Sequence, residues 1–214
     1  MKKYILFIIV LTAMFSCAAQ NPNKMKEVEK FNYEYYKSKL PSDATSAIYT
    51  EEDGTLVKVS FDQEFNTIGT IKPLTFKRYT KMYYKNGFLK VECEWLYCSD
   101  VKIGILREYN KSGKLIREVD EDKKFENLKV TPKELLRWME KQGWIDLRTG
   151  KGQQTSFSNT PFDIYFAPRN ESDYNGNTHA KWYIKKYEMY GTENFLLDAE
   201  TSELLSHDKT LHEE

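Results

Sequence analysis

The spacing of hydrophobic residues in this chain changes from section to section. Behind Lys2 and Lys3 an unbroken apolar run goes from Tyr4 to Val10 and on to Phe15. Met25, Val28, Phe31 and Tyr35 then recur at helical spacing until Leu40-Pro41, predicting a helix over about 25–38. Phe31, Tyr33 and Tyr35 also alternate, so a strand competes for the same residues. From Ala47 to Val119 the period is two, through AIYTEEDGTLVKVSFD, KMYYKNGFLKVECEWLYC and GILREYNKSGKLIREVD. Asp53-Gly54, Asn86-Gly87 and Ser112-Gly113 punctuate these segments as hairpin turns, where glycine supplies positive φ. An antiparallel meander of about five or six strands follows.

The last section opens with a capping signature, Thr131-Pro132-Lys133-Glu134, in which Thr131 is the N-cap and Glu134 reaches back. Leu135, Leu136, Trp138 and Met139 form the apolar face of this second helix, and Gly143 stops it. GKGQQTSFSNTP and RNESDYNGN read as loops. FDIYFA, KWYIKKYEMY and ENFLLDAETSELLS read as strands. The expected class is α+β: a meander of repeated hairpins with an N-terminal helix (25–125), then a helix-on-sheet module (126–214).

The first apolar run is shorter than the roughly 20 residues needed to span a bilayer, which favours a cleaved secretory leader. Met14-Phe15-Ser16-Cys17 at its end resembles a bacterial lipobox. That resemblance implies removal of residues 1–16, acylation of Cys17 and a polar tether over 17–24. It also implies a lipid-anchored envelope protein, at the outer membrane and facing the periplasm or the surface. Each buried CH2 adds about 0.8 kcal/mol of membrane affinity, so several chains anchor stably. The competing reading is an ordinary signal cut after Ala18 or Ala19.

Charge narrows the partners. Losing Lys2 and Lys3 with the leader leaves 30 basic against 32 acidic residues. A chain so balanced has no electrostatic reason to bind nucleic acid. An oxidising compartment makes Cys93 and Cys98 candidates for a disulfide. Along one straight strand they would stand about 16 Å apart, so a bond requires a turn at Trp95-Leu96. Two buried free thiols are the equal alternative. Neither cysteine has a nearby histidine or second pair, so no metal site is expected.

The hairpins also repeat. MYYKNGFLKVE and REYNKSGKLIRE align without gaps at a spacing of 26 residues, and AIYTEEDGTLVKV is a looser copy. The pattern resembles the MORN-like repeats of a family of antitoxins, over about residues 76–120. It implies an extended sheet with a protein-binding face, on which Tyr83, Tyr84, Trp95 and Tyr109 are the candidate binding aromatics. Residues 131–206 resemble PepSY-type domains, best at Asp198-Ala199-Glu200-Thr201, where Ser202 stands in place of the family's glycine. That resemblance implies a small regulatory or inhibitory envelope module.

Catalytic signatures are missing: there is no G-x-S-x-G, H-E-x-x-H, G-x-G-x-x-G or P-loop. His207 and His212 lie in an acidic tail. Glu51-Glu52-Asp53 and Asp120-Glu121-Asp122 read as solvated charge beside turns. Trp95, Tyr97, Trp138, Trp144, Trp182 and Tyr183 are core candidates, and an exposed subset would point to glycan or protein binding. The expectation is a non-enzymatic binder of another protein, an immunity or inhibitor protein in its concrete form, with no cofactor. A glycan-binding lipoprotein and a hydrolase with a dispersed site are the alternatives.

Overall fold

The computed structural model describes residues 29–169 and 178–211. The leader, the tether with Cys17, the first turn of the N-terminal helix pattern and His212 lie outside the described residues.

Among the described residues, period-two patterning becomes eleven strands in two antiparallel sheets. Strands β1 (Ser46–Thr50), β2 (Leu56–Phe61), β3 (Phe65–Ile71), β4 (Lys77–Tyr84), β5 (Leu89–Leu96), β6 (Lys102–Tyr109) and β7 (Leu115–Asp120) pair in chain order. The meander therefore has seven strands. Strands β8 (Phe162–Ala167), β9 (Lys181–Glu188), β10 (Gly191–Asp198) and β11 (Leu204–Leu211) form the second sheet, also in chain order.

The expected α+β class is corrected to an almost entirely β architecture. Helix α2 (Pro132–Lys141) is the one helix of more than six residues among those described. Among the described residues of the expected N-terminal helix, only α1 (Tyr33–Ser38) is helical. The reason is local competition. The N–H of Phe31 donates to the carbonyl of Gly87 at 2.8 Å, and Lys30 bridges Phe88, so residues 29–31 lie extended along the β4–β5 turn. This buries Phe31 against Tyr36, Phe61 and Tyr83. Asn32 then caps the short helix, its side chain accepting from the N–H of Tyr35.

Two cores result. The smaller lies between α1 and one face of the first sheet, around Val57, Val59, Ile68 and Tyr83. The larger joins Phe76, Leu96 and Ile103 of the first sheet to α2 and the inner face of the second, across residue 126. Trp182 is fully buried there, stacked on Phe125, with its indole N–H donating to the carbonyl of Val130 at 2.8 Å. Burying one such large apolar side chain is worth about 1.5–3 kcal/mol.

The N-cap of α2 forms as the sequence predicts, the N–H of Glu134 donating to Thr131 Oγ1 at 3.4 Å. The Glu134 carboxylate pairs with Arg137 at 2.6 Å rather than reaching back. The loop after α2 is fastened to the first sheet. Gln153 accepts from the N–H of Leu74 and donates to the carbonyl of Lys72, and Tyr97 donates to the carbonyl of Gly152.

Candidate functional site

The four aromatics picked out in the repeats do not share a surface. Tyr83 is buried, its hydroxyl donating to Glu29. Tyr109 donates to Glu92 at 2.8 Å, and Tyr79 donates to the same carboxylate. Burial raises the pKa of the Tyr109 phenol to about 12, and its bond to Glu92 adds to the rise. Burial also pushes the Glu92 carboxyl up. The two hydroxyls, with the charges of Lys81 and Arg107, outweigh that push and hold it below the usual range. Trp95 lies at the far end of the β4–β5 pair from Tyr84. It pairs with Arg78, six residues before Tyr84 on β4, so the separation is roughly 20 Å.

A different aromatic surface stands on the second sheet. Phe162, Ile164 and Phe166 of β8 and Trp182 and Ile184 of β9 enter the core, so the residues alternating with them face outward. Tyr165, Tyr183 and Leu196 form one cross-strand row, and Asp163, Lys185 and Asn194 the next. Tyr187 completes the face and donates to Asp163. Tyr165 is 56% exposed, Tyr183 38% and Tyr187 41%. At the β9–β10 turn Met189 is 83% exposed and Tyr190 68%. The alternation in FDIYFA and KWYIKKYEMY carries this signal. Both phases of KWYIKKYEMY contain aromatics, so only packing tells inside from outside.

Beside this face a cleft of about 740 Å³ opens between the sheets. One wall carries Arg78 and Lys102 of the first sheet and Lys124 of the 3-10 turn after β7 (Glu121–Phe125), and the second-sheet wall carries Asp163 and Tyr165. Arg78, Trp95 and Lys102 form one row across β4, β5 and β6. Both cations stand over the indole, Arg78 at 5.2 Å and Lys102 at 5.6 Å from its centre. Cys98 also lines the cleft, and burial pushes its thiol up to about 12. Cys93 and Cys98 are both free and buried. β5 runs straight through Trp95-Leu96, so the turn that a bond would need at that point does not form.

The carboxylate runs serve turns. Asp53 accepts from the N–H of Thr55, and Asp122 from the N–H of Gly104. Asp198, 2% exposed, accepts from the N–H groups of Glu200 and Thr201 and contacts His179 Nδ1 at 2.8 Å. Among the described residues no three His, Cys, Asp or Glu side chains are grouped to hold a metal. His207 stacks on Phe195 with ring centres 4.2 Å apart. No helix among the described residues is long and apolar enough to cross a membrane. No protein-family model, curated protein or solved structure matches this chain.

Proposed function

We propose that this chain is a non-catalytic envelope protein, anchored by lipid on Cys17, that binds another protein through the outer face of its second sheet. The observation that carries the reading is the group of exposed Tyr165, Tyr183, Tyr187, Met189 and Tyr190 on adjacent strands and their connecting turn. The solvent face of an antiparallel sheet is ordinarily polar. Tyrosine and methionine are enriched at protein interfaces, and tyrosine gives large contact area for few lost rotamers. A stationary binder tethered at a membrane fits an immunity or inhibitor role.

The glycan reading draws on the same side chains. Stacking a sugar favours coplanar rings, and Tyr165 and Tyr183 are inclined by 51°. That inclination suits the varied surface of a protein better.

The test compares wild type with a Tyr187→Ser/Met189→Ser/Tyr190→Ser variant in pull-downs from envelope extract. The variant is expected to retain at least about tenfold less of a defined partner, as for loss of a hot-spot side chain. Co-expression should relieve that partner's toxicity if it is a toxin. Identical protein sets on both baits, or retention on polysaccharide that depends on these residues, would overturn the reading.

A further inference from the structure

The cleft beside the tyrosine face has chemistry of its own. Its charges balance, but they are unequally committed. Lys124 pairs with Glu121 at 3.0 Å, and Asp163 accepts from Tyr187. Arg78 is held by Asp100 at 3.1 Å, yet the Asp100 side chain is 92% exposed. An ion pair that open to water is worth about 0–1 kcal/mol and is readily exchanged for another carboxylate. Lys102 has no carboxylate within ion-pairing distance among the described residues and rests over Trp95. The row therefore presents one cation with a weak carboxylate partner and one with no carboxylate partner among the described residues, about two strand spacings apart.

The opposite wall offers backbone. β8 is an edge of the second sheet. Among the described residues it meets the turn between β5 and β6 through a single bridge, Ser99 to Ile164, where the N–H of Ile164 donates to the carbonyl of Cys98 at 3.0 Å. Past that bridge Phe166 and Pro168 line the cleft. An edge strand beside a cleft is the setting in which an extended peptide adds by main-chain hydrogen bonds, with side-chain pockets setting specificity.

We propose that the cleft takes an extended acidic peptide segment. Its backbone runs along the β8 edge. One of its carboxylates displaces Asp100 and lies between Arg78 and Lys102 in front of the Trp95 indole. This builds on the protein-binding reading by stating the chemistry of the partner segment, and it is tested separately.

The probe is a fluorescein-labelled, end-blocked Gly-Glu-Val-Glu-Gly peptide, titrated by anisotropy into the purified full chain. Binding should saturate. It should weaken by about tenfold or more for the Gln analogue of the peptide, and equally for Lys102→Glu or Arg78→Gln, each checked by thermal unfolding. Should Lys102→Glu fail to fold, Lys102→Gln replaces it, with the same direction expected. Tyr187→Ser/Met189→Ser/Tyr190→Ser should bind the peptide normally. Equal binding of the Glu and Gln peptides, indifference to Arg78 and Lys102, or displacement by inorganic phosphate at matched ionic strength would each overturn the proposal. Partner capture unchanged in that variant, with peptide binding intact, would count against the tyrosine face alone.

Discussion

Single residues in this protein act mainly by locking turns. Ser202, in place of the glycine of the resembled turn, has φ +69°. A side chain there costs roughly 1–2 kcal/mol, part of which glycine forfeits through its freer unfolded chain. Ser202→Gly should therefore raise stability by about 0.5–1 kcal/mol, or a melting temperature about 1–4 °C higher. An unchanged or lower melting temperature would show that the surrounding turn already compensates. Burial pushes the Asp198 carboxyl up, but the N–H of Thr201, His179 and the N–H of Glu200 hold it below the usual range. Glu92 is held low too. Their contributions are complete above the unfolded carboxyl value of about 4 and disappear as pH falls through the lower folded values. Tyr109, raised to about 12, contributes below its unfolded value of about 10, and that contribution is lost as pH rises toward 12. Denaturant midpoints against pH should fall at both ends. In Glu92→Gln the acid fall should be shallower, and an identical acid limb would remove Glu92 from the account.

At the scale of elements, the hairpins are copies in geometry as well as sequence. Gly54, Gly87 and Gly113 have φ of +82°, +87° and +81°. In each turn the glycine N–H donates to the carbonyl three residues back, that of Glu51, Tyr84 or Asn110, at 2.9–3.0 Å. Registers shift at Met82/Tyr83 and again at Glu108/Tyr109, 26 residues on. This much could be read in the sequence, because a turn glycine and its flanking strands are local. The attachment of the loop after α2 is not local. A Cβ on Gly69 of β3 would stand 3.0 Å from the Phe157 ring, so that ring needs a bare backbone beneath it. Gly69→Val should displace Phe157 and speed amide exchange across residues 154–160, while β3 and β4 keep their protection. Unchanged exchange in that loop would mean that the Gln153 clamp alone positions it.

For the whole molecule, the prediction concerns anchoring and thiols. Cys17→Ser should move the protein from the membrane fraction to the soluble fraction on cell fractionation. A protein that stays with the membrane would reject lipid anchoring through that residue. The same variant isolates the two interior thiols. Cys98, pushed up to about 12 by burial, is almost wholly protonated near neutrality, and burial raises Cys93 as well. A colorimetric thiol reagent should find essentially none in the native protein and both after unfolding. A native disulfide would leave the unfolded protein without reactive thiols.

The period of two across Ala47–Val119, the three glycine turns and the cap at Thr131 were all legible in the chain alone. Each depends on residues a few positions apart, and backbone sterics or one side-chain bond decides it. The sequence could not show that Phe31 would leave a helical pattern to pack on the first hairpin, since that depends on a surface built from Phe61 and Tyr83 far along the chain. Nor could it show which tyrosines of KWYIKKYEMY face water, or that Arg78, Trp95 and Lys102 meet in one row beside β8. Those outcomes rest on strand register and on which sheet face is buried. Register and burial depend on the whole fold, and a one-residue slip would turn every side chain of a strand to the opposite face.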